Sequence, residues 1–225
     1  MNKKEMNFLE HYDKEKYEKP SVAVDLVLFT IDDGELKTLM IKRTNYPFKD
    51  ALALPGVFVG IDEDLDHAAA RGLKQKTGLE NIYFEQLYTW GQVDRDPRMR
   101  IISVSYYALV PWEKISQSSD ISENAEFYST EKIINQIENI AFDHKKIIAA
   151  GRDRIRNKVE YTNIAFQLVP KEFTLPQLQK IYEIILGKKL YKANFRKKIS
   201  DKIQETEKMT SGDAHRPSKF YILKP

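Results

Sequence analysis

The stretch Leu54–Leu79, LPGVFVGIDEDLDHAAARGLKQKTGL, decides the fold of this chain. Its second half predicts an α-helix over Asp64–Thr77, because apolar side chains recur there at three- and four-residue spacing. Gly78 stands where a glycine cap ends a helix. Before the helix, Ala51–Val59 predicts a short strand with a sharp bend at Pro55-Gly56.

Strand patterns lie on both sides of this stretch. Val22–Thr30 and Leu36–Arg43 are rich in strand-forming residues, and Asp33-Gly34 between them predicts a β-hairpin. Two further strands are predicted at Ile82–Val93 and Met99–Pro111, and helical stretches at Thr130–Glu138 and Asp143–Tyr161. This order predicts an α+β fold, a sandwich that ends near residue 150. Gly151 is either a seam between domains or a glycine tolerated within a helix.

The C-terminal part has the pattern of a winged helix-turn-helix. Thr174-Leu-Pro-Gln177 matches a capping box and opens a helix that stops at Gly187. A second helix is predicted from Leu190 to Glu205, with apolar residues every fourth position up to Ile203, and a strand at Arg216–Leu223 after a loop. Two helices joined by a tight glycine turn and followed by a hairpin-like end are typical of this DNA-binding unit.

Length and charge support a division into two domains, residues 1–150 and residues 151–225. The second part contains 17 lysines and arginines against 8 aspartates and glutamates, a net charge of +9, whereas the first carries −6. Such a basic part indicates nucleic-acid contact. The chain has no cysteine, no apolar run long enough to span a membrane and no secretory signal, so we expect a cytoplasmic protein.

The opening stretch also resembles the Nudix box, G-x5-E-x7-R-E-U-x-E-E-x-G-U, in which U is apolar. Aligned on Gly78, Arg71 takes the arginine position and Glu63 the first glutamate position, but Val57 replaces the opening glycine. The three glutamates of the helix are replaced, in order, by Gly72, Gln75 and Lys76. In Nudix hydrolases these glutamates bind divalent metals that activate water, and hard cations need anionic oxygen ligands. We therefore expect no metal, no cofactor and no catalysis by this route.

Several further stretches, together with the basic tail, resemble the NrtR-type Nudix-related transcriptional regulators. They are Trp90–Arg98 with Arg100, Phe142–His144, Glu160–Phe166, Phe173–Leu175, Leu186–Lys188, Asn194–Lys198 and His215–Pro217. The resemblance covers nearly the whole chain. It implies a Nudix-like α/β/α sandwich followed by a winged helix-turn-helix domain, in a dimeric regulator whose Nudix-like domain senses a small molecule.

Known branches of this family sense ADP-ribose and regulate NAD metabolism, or sense a pentose and regulate sugar utilisation. The missing metal carboxylates weaken the case for a metal-bridged pyrophosphate, so the sequence slightly favours L-arabinose over ADP-ribose. The predicted effector-binding residues are Arg43, Phe58, Arg71, Arg95 and Asp96. Charges grouped around a proline, as at Arg95–Arg98 and Arg100, more often form structural ion pairs than a ligand site, although we still expect Arg95 and Asp96 near the pocket.

The predicted partner of the tail is a double-stranded DNA operator. Asparagine can pair with adenine and arginine with guanine, while lysines neutralise phosphates. The predicted DNA-binding residues are Lys188, Lys189, Lys192, Asn194, Arg196, Lys197, Lys198, Arg216 and Lys219. Two alternatives stay open: a Nudix pyrophosphohydrolase acting on ADP-ribose or a related nucleoside diphosphate through Glu63 and other acidic residues, and a nucleic-acid adaptor without an effector.

Overall fold

The structure, a computed structural model, describes residues 1–210 and 217–225. Its N-terminal part is built on a seven-stranded mixed sheet with the order β3-β2-β1-β6-β5, to which β4 and β7 add at the edges of β1 and β2. The strands are β1 (Ser21–Asp32), β2 (Glu35–Lys42), β3 (Leu52–Ala53), β4 (Gly56–Phe58), β5 (Tyr83–Trp90), β6 (Ile101–Leu109) and β7 (Ala125–Ser129). The long central strand β1 runs parallel to β6 and antiparallel to β2 and β4.

Helices cover both faces of this sheet, which confirms the predicted sandwich. The helices of this part are α1 (Lys3–Glu10), α2 (Leu65–Thr77), α3 (Trp112–Ser116), α4 (Thr130–Asn135) and α5 (His144–Lys158). Side chains of β1 alternate between two cores: Leu26 packs with α2, and Val27 and Phe29 pack with α5. By the same alternation the side chain of Asp25 lies on the α5 side of the sheet.

The locally encoded elements lie where the sequence predicts them. The hairpin turns at Asp33 and Gly34, both with positive φ. The helix α2 starts after Asp64, whose carboxylate accepts the amide of His67, and ends at Gly78 in the left-handed conformation. The predicted strand Ala51–Val59 is two short strands, β3 and β4, because the bend at Pro55-Gly56 sends them to different partners.

The winged helix-turn-helix unit is also present. It consists of a 3-10 helix (Ile164–Leu168), β8 (Phe173–Thr174), α6 (Leu175–Leu186), α7 (Lys192–Ile199), β9 (Ile203–Met209) and β10 (Lys219–Leu223). Thr174 and Gln177 form the predicted capping box, and Gly187 ends α6 with a positive φ of 67°. The strands β8, β10 and β9 form a small antiparallel sheet behind the helices.

Two predictions in this unit were wrong or fall outside the structure. The second helix ends at Ile199, not at Glu205, and Ile203 begins β9. Its four-residue spacing was misleading because Ile199 and Ile203 are both buried, although the chain turns between them at Asp201-Lys202. The final strand begins at Lys219, and the candidate DNA contact Arg216 lies outside the described residues.

The helix α5 runs without interruption past residues 150 and 151, and Gly151 lies in its middle. A Cβ at Gly151 would lie 3.1 Å from the ring of Phe29, so the glycine allows the helix to approach the sheet closely. One hydrophobic cluster contains Phe29 of the sheet and Ile181 of α6. The two parts therefore share a continuous core across α5, and the division at residue 150 stays a prediction. Within residues 1–210 and 217–225, no helix has the length and apolar character needed to cross a membrane.

Candidate functional site

A solvent-open cleft of about 280 Å³ lies in the N-terminal part, beside the β1–β4 pair. Its charged lining residues are Asp25, Lys42, Arg43, Lys76, Arg95, Asp96 and Arg98. Five of these side chains are cationic and two are carboxylates. The cleft is close to the lower end of the range of about 300–1,000 Å³ for small-molecule sites, and its charge favours an anionic ligand.

Arg95 organises the floor of this cleft. Its side chain is 4% exposed, and its guanidinium lies between two buried carboxylates. It donates to Asp143 from Nε at 3.0 Å and from Nη2 at 2.7 Å, and to Asp25 from Nη2 at 3.1 Å. Ser103 donates a further hydrogen bond of 2.6 Å to Asp25. Arg95 is thereby fixed in position by elements far apart in sequence, the strand β1 and the N-terminal end of α5.

Gly56 explains part of the opening Leu-Pro-Gly sequence. A Cβ at this position would lie 2.8 Å from Oδ1 of Asp25 and 3.2 Å from the carbonyl oxygen of Val24. Any side chain at position 56 would therefore displace the carboxylate that Arg95 binds. The bend at Pro55-Gly56 is thus needed for the site as well as for the strand path.

His144, the first residue of α5, completes the floor. Its Nδ1 accepts the amide of Leu54 at 2.8 Å, so the neutral ring carries its proton on Nε2, which lies 3.6 Å from Asp25. Burial lowers the pKa of His144, although the carboxylates of Asp25 and Asp143 partly oppose this effect. The imidazole is therefore a neutral structural group at neutral pH.

The mouth of the cleft is cationic and aromatic. Arg98 donates to both carboxylate oxygens of Asp96, at 3.0 and 2.7 Å, and lies 5.8 Å from the ring centre of Phe142. The guanidinium of Arg43 lies 4.9 Å from the same ring. Burial, and then the positive charge of Arg98, lower the pKa of Arg43. Two guanidiniums held close together against one ring would gain from a bound anion.

Four of the five predicted effector residues line this cleft: Arg43, Phe58, Arg95 and Asp96. Arg71, the fifth, is not among the lining residues. Its guanidinium binds both carboxylate oxygens of Glu63 at 2.7 Å and the carbonyl oxygen of Phe58 at 2.9 Å. The hydrogen bonds from Arg71, and then that from the amide of Gly60, lower the pKa of Glu63 to about 2. Both residues thus stabilise the loop before α2.

The Nudix-box face of α2 does not fit a divalent metal. At position 72 a Cβ would lie 2.9 Å from Leu26 and 3.2 Å from Val57, so a glutamate could not replace Gly72 without repacking. Lys76, at another glutamate position on this face, lines the cleft and presents a cation where a metal would need a carboxylate. Within residues 1–210 and 217–225, no three His, Cys, Asp or Glu side chains come together as a metal site.

The predicted DNA-binding residues fall into two groups. Lys188 lies 3.7 Å from Glu160 and Lys189 lies 3.1 Å from Glu183, while Lys219 pairs with Glu205. The ammonium of Lys198 lies 5.6 Å from the ring centre of Tyr182.

The second group lies on the exposed surface of α7. Its members are Lys192, Asn194, Arg196 and Lys197. In the described part of the chain their side chains form no salt bridge and no hydrogen bond.

The sequence analysis missed three functional residues: Asp25 and His144, which line the cleft, and Asp143, which binds Arg95. Asp25 interrupts an apolar run in β1, and a carboxylate at a core-facing position is itself a signal, because buried charges need partners. Asp143 and His144 were treated as the beginning of a helix and as part of the family resemblance, and neither was assigned to the site. Their partners come from Arg95 and Leu54, 48 and 90 residues away, and no sequence spacing reveals such contacts.

Comparison with known proteins covers both parts of the chain. Residues 19–151 match the family described as NUDIX domain, and residues 165–223 match the NrtR DNA-binding winged helix domain. The chain is 38% identical over 221 residues to the "ADPR responsive transcriptional repressor NtrR" of Acinetobacter baylyi, covering 96% of this chain and 87% of that protein.

Two solved structures from Shewanella oneidensis are also similar. NrtR complexed with a 27mer DNA has a TM-score of 0.82 and 32% identity, covering 90% of this chain and 93% of that one. The NUDIX domain of NrtR complexed with ADP ribose has a TM-score of 0.57 and 33% identity, covering 69% of this chain and 99% of that one.

Proposed function

The chain belongs to the NrtR family of Nudix-related transcriptional regulators, and we propose that it is a DNA-binding repressor controlled by ADP-ribose. In this proposal residues 1–150 sense the effector and residues 151–225 bind operator DNA, in a homodimer. The protein acts in the cytoplasm, where the DNA is.

The single observation that carries the choice of effector is the charge of the cleft. The lining has five cations and two carboxylates, and the cations still exceed the carboxylates when Asp143, which pairs with Arg95, is counted. This excess of positive charge suits a pyrophosphate group, whereas a neutral pentose has no charge for these cations to bind. This reverses the slight preference for L-arabinose drawn from the missing metal ligands. Direct binding by arginines removes the need for a metal bridge. The ADP-ribose complex of the Shewanella oneidensis relative supports the same choice.

The geometry of α5 suggests how the cleft communicates with the DNA-binding unit. At the start of α5, His144 lines the cleft and Asp143 binds Arg95. At its last turn, Arg156 donates to the carbonyl oxygen of Ile185, near the end of α6, at 3.1 Å. An anionic ligand that binds Arg95 would change the ion pair between Arg95 and Asp143 at the start of α5. A shift of α5 would then move α6 through the contact of Arg156 with Ile185.

We propose further that the Nudix-like domain does not hydrolyse its ligand. Gly72, Gln75 and Lys76 replace the metal-binding glutamates, and Glu63 is already bound by Arg71. A hydrolase with Glu63 as its acidic ligand would have to give up this ion pair.

Fluorescence anisotropy with DNA from upstream of the protein's own gene tests the proposal. We expect specific binding at moderate salt that ADP-ribose changes by at least tenfold in affinity, and that neither AMP nor L-arabinose changes. Arg98→Gln should weaken the response to ADP-ribose but preserve DNA binding. Lys74→Gln is the matched control, because Lys74 is an exposed cation outside the cleft.

Three results would contradict the proposal. The first is absence of specific DNA binding, since the non-specific attraction of a basic surface is lost with added salt. The second is a response to L-arabinose alone, which would restore the pentose as effector. The third is release of AMP from ADP-ribose with magnesium in a reaction that Glu63→Gln abolishes, which would make the protein a hydrolase.

A further inference from the structure

The exposed surface of α7 carries an aromatic side chain, Tyr191, in addition to its charged residues. Tyr191, the residue before the first turn of α7, is 83% exposed. Within residues 1–210 and 217–225 its hydroxyl forms no hydrogen bond and its ring contacts no other aromatic ring. The other tyrosine of the helix-turn-helix, Tyr182, is fully buried against Phe195. The exposure of Tyr191 is therefore not a general property of aromatic residues in this unit.

The position of Tyr191 gives it access to DNA bases. It occupies the N-cap of α7, with φ −71° and ψ 125°, but its side chain caps no amide. In helix-turn-helix proteins the N-terminal residues of the second helix contact base edges in the major groove. An exposed side chain at this end enters the groove before the rest of the helix.

The outward face of α7 continues this surface. Phe195 and Ile199 are buried and fix which side faces the core. Ala193 lies two residues before Phe195, about 200° around the helix, and thus faces away from the core with Lys197 one turn later. Ala193 is exposed, and its small size permits close approach of the helix to a base pair.

Exposed cations flank these two apolar groups. Lys192 and Lys197 form no salt bridge within the described part of the chain and can bind phosphates of the duplex. The only apolar group that base pairs present in the major groove is the methyl group of thymine. A tyrosine ring and an alanine methyl placed among phosphate-binding cations match that chemistry.

We propose that Tyr191, with Ala193, reads thymine methyl groups in the major groove and is a specificity-determining residue of this regulator. This inference rests on the proposed DNA-binding function and deepens it. Asn194 and Arg196 would supply hydrogen bonds to purines, and the apolar pair would add discrimination that hydrogen-bonding residues alone do not give.

The test uses the full-length protein and an operator that wild-type protein selects from a random duplex library. Affinities for this operator and for a scrambled duplex are compared for wild type, Tyr191→Ala and Tyr191→Phe. Tyr161→Ala is the matched control, because Tyr161 is 72% exposed but lies outside the two helices. We expect Tyr191→Ala to lower the ratio of specific to non-specific affinity about tenfold, and both Tyr191→Phe and Tyr161→Ala to preserve it.

A second measurement identifies the atoms that are read. Each thymine of the operator is replaced in turn by deoxyuridine, which removes only the methyl group. At one or two positions wild type should lose about fourfold in affinity, as expected for one methyl group no longer buried. At those positions Tyr191→Ala should lose nothing further.

The outcomes separate this inference from the function on which it rests. If wild type selects no operator, the DNA-binding proposal fails and this inference fails with it. If wild type selects an operator but Tyr191→Ala keeps the same specificity ratio and the same deoxyuridine profile, only this inference is overturned. Equal losses in Tyr191→Phe and Tyr191→Ala would assign the contact to the hydroxyl and would also overturn the reading of methyl groups.

Discussion

The cleft floor and the α7 surface both present cationic side chains, but they hold them in opposite ways. Arg95 is buried, and two carboxylates fix its guanidinium. Lys192, Arg196 and Lys197 are exposed, and no side chain of the described residues pairs with them. A fixed cation recognises one ligand geometry, whereas exposed cations outside ion pairs can bind the regular phosphates of a duplex. The difference predicts that charge changes in the cleft alter stability, and that charge changes on α7 alter DNA affinity.

The largest effect is expected at Arg95. Arg95→Met removes the guanidinium and leaves Asp25 and Asp143 buried without a cation. Breaking a buried ion pair from one side costs about 3–5 kcal/mol, so urea unfolding should show a loss of this size. The control is Lys74→Met, which removes an exposed pair with Glu80 and should leave the free energy of unfolding nearly unchanged, because water screens the pair. Equal losses in the two variants would refute the distinction between held and exposed charges.

The second effect tests a charged residue of the helix-turn-helix, Glu183, that several partners hold in place. Glu183 accepts the amide of Leu190 at 2.9 Å and the amide group of Gln179 at 3.0 Å, and pairs with Lys189. Gln179 also donates to the carbonyl oxygen of Leu190 at 2.9 Å. The turn between α6 and α7 is thus fixed at both backbone groups of Leu190.

We expect Glu183→Ala to lower the free energy of unfolding by about 1–3 kcal/mol, because it leaves the Leu190 amide without its partner. Hydrogen exchange at the Leu190 amide should accelerate correspondingly. Glu183→Gln keeps an acceptor oxygen and should lose less. If exchange at Leu190 is unchanged in Glu183→Ala, the carboxylate does not hold the turn.

The same contrast explains how much the sequence could predict. The capping box at Thr174, the glycine cap at Gly187 and the hairpin at Asp33-Gly34 are local, since each depends on residues within three positions, and each was predicted correctly. The helix predicted to reach Glu205 was wrong because burial at every fourth residue does not distinguish a continued helix from a turn into a strand.

The cleft depended on longer distances. Arg43, Phe58, Arg95 and Asp96 were placed in one site from the family resemblance, and they do lie together around the cleft. The carboxylates that position Arg95 were not found, because β1 and α5 meet only in the folded chain. Asp25 could have been noticed as a charge in a buried strand, but its partner could not have been named from sequence.

The third effect is a pH dependence that originates in the cleft floor. Burial lowers the pKa of His144 below its usual value of 6.5, so the folded protein keeps this ring neutral. The unfolded chain takes up a proton as the pH falls below about 6.5, and the folded state does not follow. The contribution of His144 is therefore full above that pH and declines as the pH falls below it.

Urea unfolding at pH 7.5, 6.5 and 5.5 measures this effect in wild type and in His144→Gln. The glutamine can still accept the Leu54 amide but does not titrate. The difference between the two proteins should grow in favour of the variant as the pH falls. A constant difference over this range would mean that His144 takes up its proton at the same pH in the folded and unfolded states, contrary to its buried environment.

The smallest effect concerns the exposed cations of α7, where each charge acts alone. Lys197→Ala should weaken binding to specific and scrambled duplexes alike, because a lysine that contacts phosphate carries no sequence information. It should also reduce the slope of log affinity against log salt by about 1, since one fewer counterion is released. Between 50 and 200 mM salt the variant should therefore lose roughly three- to fourfold less affinity than wild type.

Lys76→Ala, which removes a cation of the cleft, should leave this slope unchanged. An equal change of slope in both variants would mean that DNA also contacts the cleft, and the assignment of one cationic region to the effector and the other to DNA would be wrong.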